Sequence, residues 1–532
     1  MDRLDQYVSV VPNPQQKAIQ EMGFNAFIHY GMTTFTGKEW GDGKTPPATF
    51  NPSDQDAEQW VAALKDAGAQ GIILTAKHHD GFCLWQTDTT EYSIKNSPYQ
   101  GGKGDVVREV SDACRKFGVK FGVYLSPWDR NSAYYGTPKY NDFYIAQLTE
   151  LLTRYGEIFC IWLDGACGSY MDGKPKQVYD FPRIYQTVRE LQPMCCISNC
   201  GPDVRWVGNE GGYARESEWN VVPKFAFDVQ QIADNSQQAD GQDLQQKGMD
   251  IVSEDLGSRQ VLANYDDFIW YPAEVDVSIR PGWFYHKSQD KKIRSLNNLL
   301  NIYYTSVGGN SLLLLNVPPD QRGRFCDKDV QRLHELGEAI RKGVEKPATV
   351  TKLDAYRPEQ GFDIKNILTD DESCYTPERE TPHYKVELHF DHPMMIDKVQ
   401  IKEQCDYSQR IEKYEIYALL NGAEKKVCEG TTVGYNRFAL FRKPVQADGI
   451  RLVITACRRK PYLRLVMPYE ANGFLPKTPW YKPVVLAAHK LSYLIYVTRE
   501  NRHKAKTEAK QNKMTVKKAV EQAAEDEVPQ EK

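Results

Sequence analysis

The chain has 532 residues, with 67 basic and 71 acidic side chains and a formal net charge of −4, a balance that gives no bulk attraction to nucleic acid. Hydrophobic residues make up 41 % and charged residues 26 %, which excludes a collagen, a mucin and a largely disordered chain. The length allows roughly two to four domains, and no apolar run approaches the ~20 residues that cross a bilayer.

The first residues, Met1-Asp-Arg-Leu-Asp-Gln, lack a basic segment followed by an apolar one, so no signal peptide is visible. The chain reads either as cytosolic or as the mature or truncated form of an exported protein. Short apolar runs then alternate with amphipathic stretches. The runs begin at Phe24, Gly71, Lys120, Glu157, Met194 and Ser311, with another expected between Phe268 and Ile279. Runs of this kind suit strands buried on both faces. Between them, Asp56–Gly68, Val106–Gly118 and Asn141–Gly156 read as helices that stop at glycine. The repeated βα unit over ~340 residues predicts a (β/α)8-type barrel, an α/β fold. No GxGxxG or GxxxxGK[ST] follows a strand, so nucleotide folds are poorly supported.

A helix over Lys328–Arg341 closes the barrel, and Lys342–Pro347 reads as a linker. The period then changes. Tyr384–Phe390, Lys398–Glu403, Lys413–Leu419 and Ile450–Thr455 alternate as strands, and Asn421-Gly is a hairpin signal. The expected domains are a barrel over 1–345, a galactose-binding-like β-sandwich over 346–472, and a charged, solvated tail over 473–532. The twelve cysteines are too sparse for a disulfide scaffold and show no zinc spacing; most are expected as buried thiols.

In such a barrel, polar residues at the C-terminal strand ends face the active site. Those ends are His29, His78-His79, Tyr124 with Trp128, and Trp162 with Asp164. Asp164, between an apolar strand and Gly165, fits either a reacting carboxylate or a helix cap. His78-His79-Asp80 fits a core or loop site, a sugar site or a metal site, although neighbours on a strand face opposite ways and rarely share one ion. Trp40, Trp85, Trp128, Trp162, Trp206, Trp219, Trp270 and Trp283 all fall in the barrel. Aromatic planes pack on sugar rings, although half of these are expected as ordinary core. Glycoside hydrolysis needs a second carboxyl. Glu210, Glu216, Glu218 and Glu274 are the candidates, and spacing does not choose among them.

Phe27-Ile-His-Tyr-Gly, Glu39-Trp40, Lys77-His-His-Asp-Gly-Phe-Cys-Leu-Trp, Tyr124-Leu-Ser-Pro-Trp and Trp162-Leu-Asp-Gly resemble glycoside hydrolase family 29, the α-L-fucosidases. The ordered motifs span about residues 20 to 320. The resemblance implies a retaining exo-α-L-fucosidase with Asp164 as nucleophile. His29, Glu39, Trp40, His78, His79, Tyr124 and Trp162 would line the fucose pocket. His29 and His78 would meet the axial hydroxyl, His79 the 2-hydroxyl, and Trp283 the 6-methyl group; Arg205 would approach the pocket. Arg205-Trp-Val-Gly-Asn-Glu-Gly-Gly with Arg215-Glu-Ser-Glu-Trp looks like the subfamily acting on α-1,3/1,4-linked fucose, which makes Glu210 the acid/base and Glu218 the fallback. The implied partner is a fucosylated oligosaccharide or glycoconjugate, with no cofactor, metal, nucleic acid or membrane span. The family's usual setting implies periplasm or secretion. The alternatives are a non-catalytic glycan-binding protein, an exo-glycosidase acting on L-galactose, and a metal-dependent hydrolase using His78, His79 and Asp164.

Overall fold

The computed structural model describes residues 2–166, 174–175, 177–227, 255–473 and 475–476. The expected charged tail falls, from residue 477 onward, outside the described residues. Eight parallel strands form the first sheet: β1 (Phe24–Ile28), β2 (Gly71–Lys77), β3 (Lys120–Leu125), β4 (Cys160–Leu163), β5 (Cys196–Asn199), β6 (Arg205–Trp206), β7 (Ala273–Ser278) and β8 (Leu312–Asn316). They pair in the order β5-β4-β3-β2-β1-β8-β7-β6. A parallel bridge between Ser198 and Val204 brings the two ends together, so the sheet is a nearly closed barrel.

The apolar runs become strands because each has two faces to bury. Phe27, Ile73, Tyr124, Trp162, Leu312 and Leu314 fill the interior, while Phe24, Ala26, Ile28, Ile72 and Leu74 pack outward under the helices. The helices follow the expected stops. Helix α1 (Ala57–Ala67) is capped by Asp56 and ends at left-handed Gly68; α2 (Val106–Phe117) is capped by Asp105 and ends at left-handed Gly118. These are followed by α3 (Lys139–Arg154), α4 (Phe181–Leu191), α5 (Leu296–Ser306) and α6 (Asp327–Gly343).

The βα units are unequal. Only a short loop joins β5 to β6, and β6 has two residues. Between β6 and β7 the chain builds a hairpin of Val221–Pro223 with Phe268–Trp270.

The C-terminal sheet is antiparallel: β9 (Val350–Ala355), β10 (Tyr384–Glu403), β11 (Ile411–Leu420), β12 (Ala423–Gly430), β13 (Arg437–Cys457) and β14 (Leu463–Glu470). The two short strands expected at 384–390 and 398–403 are one long strand whose register breaks between His389 and Met394. Its first half pairs with β9 and its second with β14. Both halves pair with β13, and one apolar core joins Val386 and Leu388 to Val399, Ile401 and Phe441. Breaks of this kind bend a strand, which lets one sheet wrap both sides of a core. Asn421 and Gly422 carry the positive φ values, 52° and 80°, that a tight hairpin demands. All eleven cysteines among the described residues are free thiols, seven of them buried. No described helix is long and apolar enough to cross a membrane.

Candidate active site

The strand ends meet in a cavity of about 660 Å³ at the C-terminal mouth of the barrel. That size suits a small-molecule site. It is lined by His29, Glu39, Trp40, His78, His79, Tyr124, Trp162, Asp164, Glu210, Asp276 and Trp283, with Phe27, Ala166, Pro281, Gly282 and Gln289. Eleven residues spread over 255 positions of chain converge here because each sits in a parallel strand or on the loop that follows one.

Asp164 leaves β4 with its carboxylate 22 % exposed. Tyr124 donates to Oδ2 at 2.8 Å, and the Ala166 backbone N–H donates to Oδ1 at 2.6 Å. The Tyr124 hydroxyl is pushed well above the usual tyrosine range by burial and then by Asp164, so it remains a donor. Its ring stacks on Trp162 at 5.6 Å.

The histidines answer the question of opposite faces. The register of β2 against β3 shifts between Thr75 and Lys77, and the strand ends there. Lys77 turns outward to Asp129 at 3.0 Å and Gln147 at 2.9 Å. His78 and His79, freed from strand alternation, both turn to the cavity with ring centroids 4.1 Å apart.

Hydrogen bonds assign the tautomers. Ser126 spends its proton on the Trp128 carbonyl at 2.7 Å, so at His79, 2.8 Å away, Nδ1 is the donor. Asn316 spends its N–H groups on the Trp283 carbonyl and Ser278 Oγ, so its oxygen accepts from His29 Nδ1 at 2.9 Å. Both rings therefore offer an Nε2 lone pair. For His79 that atom lies 4.0 Å from Asp164 Oδ2. Burial lowers the pKa of His29 and of His79 to about 4 and holds that of His78 well below its usual value. All three are neutral acceptors at neutral pH.

Glu39 braces the opposite wall. Its Oε2 accepts from the backbone N–H groups of Trp283 at 3.0 Å and Phe284 at 3.4 Å, and its Oε1 meets His286 Nε2 at 2.7 Å. A Cβ at residue 282 would collide with Oε1, so Pro281-Gly-Trp needs its glycine for this approach. The Trp283 indole donates to Glu210 Oε2 at 3.2 Å.

The tryptophans divide as a mixed population should. Trp40, Trp162 and Trp283 line the cavity. Trp85 donates to Glu150 and Trp270 to Gln20, both in the core, and Trp128 packs behind His79.

Arg205 does not line the cavity. On two-residue β6 it points away from the mouth: its Nε donates to the Tyr271 carbonyl at 2.9 Å, and its Nη2 to Glu218 and to the Trp219 carbonyl at 3.0 Å. Glu218 is fully buried and is also held by Arg215 at 3.1 Å. Burial alone would raise its pKa; the two guanidiniums outweigh that and hold it below the usual range. It does not face the cavity either. Glu218→Ala leaves both arginines uncompensated, and removing one partner of a buried ion pair costs about 3–5 kcal/mol. The expected result is a large drop in urea midpoint, with no azide rescue of activity.

Two carboxyls lie inside the barrel on β7. Glu274 accepts from the Trp162 indole at 2.7 Å, while its other oxygen has no partner. Burial raises its pKa to about 7. Because the folded value lies above the unfolded one, the stability it contributes is complete below about 4.5 and is lost as pH rises through about 7. Glu274→Gln cannot ionise, so it should match the parent in melting at pH ~3.5 and exceed it by about 3 kcal/mol above pH ~8. Asp276, absent from the sequence-based site, is one step nearer the mouth. Its signal is the acidic alternation Ala273-Glu-Val-Asp-Val-Ser inside an otherwise apolar strand.

Among the described residues, no group of three or more His, Cys, Asp or Glu is arranged to hold a metal ion. The family model for α-L-fucosidase matches residues 28–343, which is more than half of the chain. The chain belongs to the α-L-fucosidase family, glycoside hydrolase family 29. It is 38 % identical over 475 residues to α-L-fucosidase 1 of Arabidopsis thaliana, covering 86 % of this chain and 88 % of that one. A structure of a provisionally named α-L-fucosidase from Bacteroides ovatus superposes with a TM-score of 0.79 at 43 % identity, covering 90 % of this chain and 77 % of that one. A Ruminococcus gnavus family 29 fucosidase in complex with fucose gives a TM-score of 0.74 at 28 % identity, covering 88 % and 96 %. As a member of this family the protein is an enzyme, a glycoside hydrolase of the α-L-fucosidase class.

Proposed function

We propose that the protein is a retaining exo-α-L-fucosidase that releases terminal α-1,3/1,4-linked L-fucose, with Asp164 as nucleophile and Glu210 as acid/base. The observation that carries this reading is the convergence of Asp164 and Glu210 on one cavity, the first oriented by Tyr124 and the second by Trp283. A retaining mechanism asks for two carboxyls on one reacting centre, about 5–5.5 Å apart in the working state.

Asp164 Oδ2 attacks the anomeric carbon while Glu210 gives its proton to the leaving oxygen. The glycosidic bond breaks and a covalent fucosyl ester forms. Asp164 then carries no charge, and Glu210 carries one. Glu210 next takes a proton from water, whose oxygen bonds the anomeric carbon as the ester to Asp164 breaks. The neutral Nε2 atoms of His29 and His79 accept hydrogen bonds from sugar hydroxyls, and Trp283 packs the apolar face. The linkage preference rests on the resemblance of Gly208-Asn-Glu210 and Arg215-Glu-Ser-Glu-Trp219 to the α-1,3/1,4 subfamily. The fucose held by the Ruminococcus gnavus relative supports the sugar.

The test is to follow product by proton NMR on a panel of glycans. The α anomer of fucose should appear first, from 3-fucosyllactose and the Lewis a and x trisaccharides in preference to 2′-fucosyllactose. First release of the β anomer overturns retention, and preference for the 1,2-linkage overturns the subfamily.

A further inference from the structure

Strand β7 places its side chains by simple alternation. Val275 packs outward with Val207, and Val277 packs under the helices, so Glu274, Asp276 and Ser278 turn inward. Glu274 is taken by Trp162 and Ser278 by Asn316. Asp276 lines the cavity together with Glu210 and Asp164, and it is only 4 % exposed. Its Oδ1 accepts from the Trp206 indole at 2.7 Å. Trp206 roots the loop that carries Glu210 four residues later, and Trp206 pairs in register with Glu274 of β7. One hydrogen bond therefore ties this carboxyl to the base of the acid/base loop.

Burial first, then the charge of Glu210, push Asp276 well above the usual aspartate range; the Trp206 hydrogen bond opposes this and Glu274 adds to it. Asp276 is buried while Glu210 is exposed on the same cavity wall, and a charge on Glu210 disfavours a second one on Asp276. Glu210 is charged in the second half of the proposed reaction, which, with burial, favours the neutral form of Asp276.

Building on the assignment of Glu210, we propose that Asp276 is a positioning residue: a protonated carboxylic acid, fixed by Trp206, whose O–H hydrogen-bonds the Glu210 carboxylate while the covalent intermediate is hydrolysed. Asp276 keeps its proton throughout. Water loses its proton to Glu210, and Asp164 recovers its charge as the ester breaks. A neutral donor beside Glu210 steadies the base where a second anion would repel it.

The experiment is steady-state and stopped-flow kinetics with 4-nitrophenyl α-L-fucoside, whose leaving group needs little acid help, so that breakdown of the intermediate limits kcat. Asp276→Ala should lower kcat about ten- to a hundredfold, the rate equivalent of one hydrogen bond to a charged group. Its kcat/KM should fall far less, so KM drops and a burst of nitrophenolate appears. Asp276→Asn keeps an oxygen for Trp206 and an N–H for Glu210, and should restore kcat to within about threefold. Trp206→Phe, which releases Asp276 without altering any carboxyl, should lower kcat in the same selective way and carries the test if Asp276→Ala does not fold.

Equal losses in kcat and kcat/KM without a burst overturn the inference. So does an Asp276→Asn enzyme as impaired as Asp276→Ala, because a charge would then be what matters. Azide rescue of Glu210→Ala alongside unaltered Asp276→Ala kinetics sinks this inference alone; absence of that rescue sinks the acid/base assignment beneath it.

Discussion

Asp164→Ala is expected to reduce turnover of an aryl α-L-fucoside by at least on the order of a thousandfold, because it removes the atom that bonds the anomeric carbon. The fold should survive. Asp164 stands on a strand end, 22 % exposed, and its bonds are one phenol and one loop N–H, so its loss leaves no buried ion pair broken. Added azide fits the vacated side and attacks the anomeric carbon there. The product should be the β-fucosyl azide, opposite in configuration to the substrate. Independently, a 2-deoxy-2-fluoro fucosyl fluoride should label the parent enzyme, and the tagged peptide should contain Asp164. A tag on any other residue, or a folded Asp164→Ala enzyme at near-parental rate, removes the nucleophile assignment.

Glu210→Ala has the second largest expected effect, and its signature is different. General acid and base assistance is worth about 10²–10⁴-fold. An aryl fucoside with a good leaving group recovers most of the first step, so the deficit concentrates in the second. Azide needs no general base. It should restore turnover and give the α-fucosyl azide, since it attacks the β-linked intermediate on Asp164 from the face water normally uses. The two variants therefore return opposite anomers of the same azide. The same anomer from both would contradict the assigned roles. Glu218→Ala is the control, since that carboxylate is locked between Arg205 and Arg215 and has no proton to give.

Most of the barrel was legible because its strands announce themselves. Gly71–Lys77 and Leu312–Asn316 are buried along their whole length, and a run of that kind has few other solutions. Gly68 and Gly118 stop their helices where the pattern places them, for the steric reason that left-handed backbone favours glycine. Strand β6 was not legible: two residues have no period. Only the resemblance places Arg205 near the pocket. Only the alternation within β6 shows that Arg205 faces away while Trp206 faces Asp276. Periodicity splits the single bent strand of the C-terminal sheet into two, because the exposed segment around Asp391 and His392 imitates a loop.

Motif and periodicity were sufficient for the barrel, for the family and for most of the cavity wall, since those depend on local burial and on residues that lie next to one another in the chain. Which carboxyls share that cavity could not be had that way. Glu210, Glu216, Glu218 and Glu274 look alike as letters. Folding buries Glu218 in a cage of arginines, sets Glu274 under Trp162, and leaves Glu210 at the mouth with Asp276 behind it. The charge state and reach of a carboxyl follow from desolvation and from the donors around it, and both are supplied by segments far away in sequence.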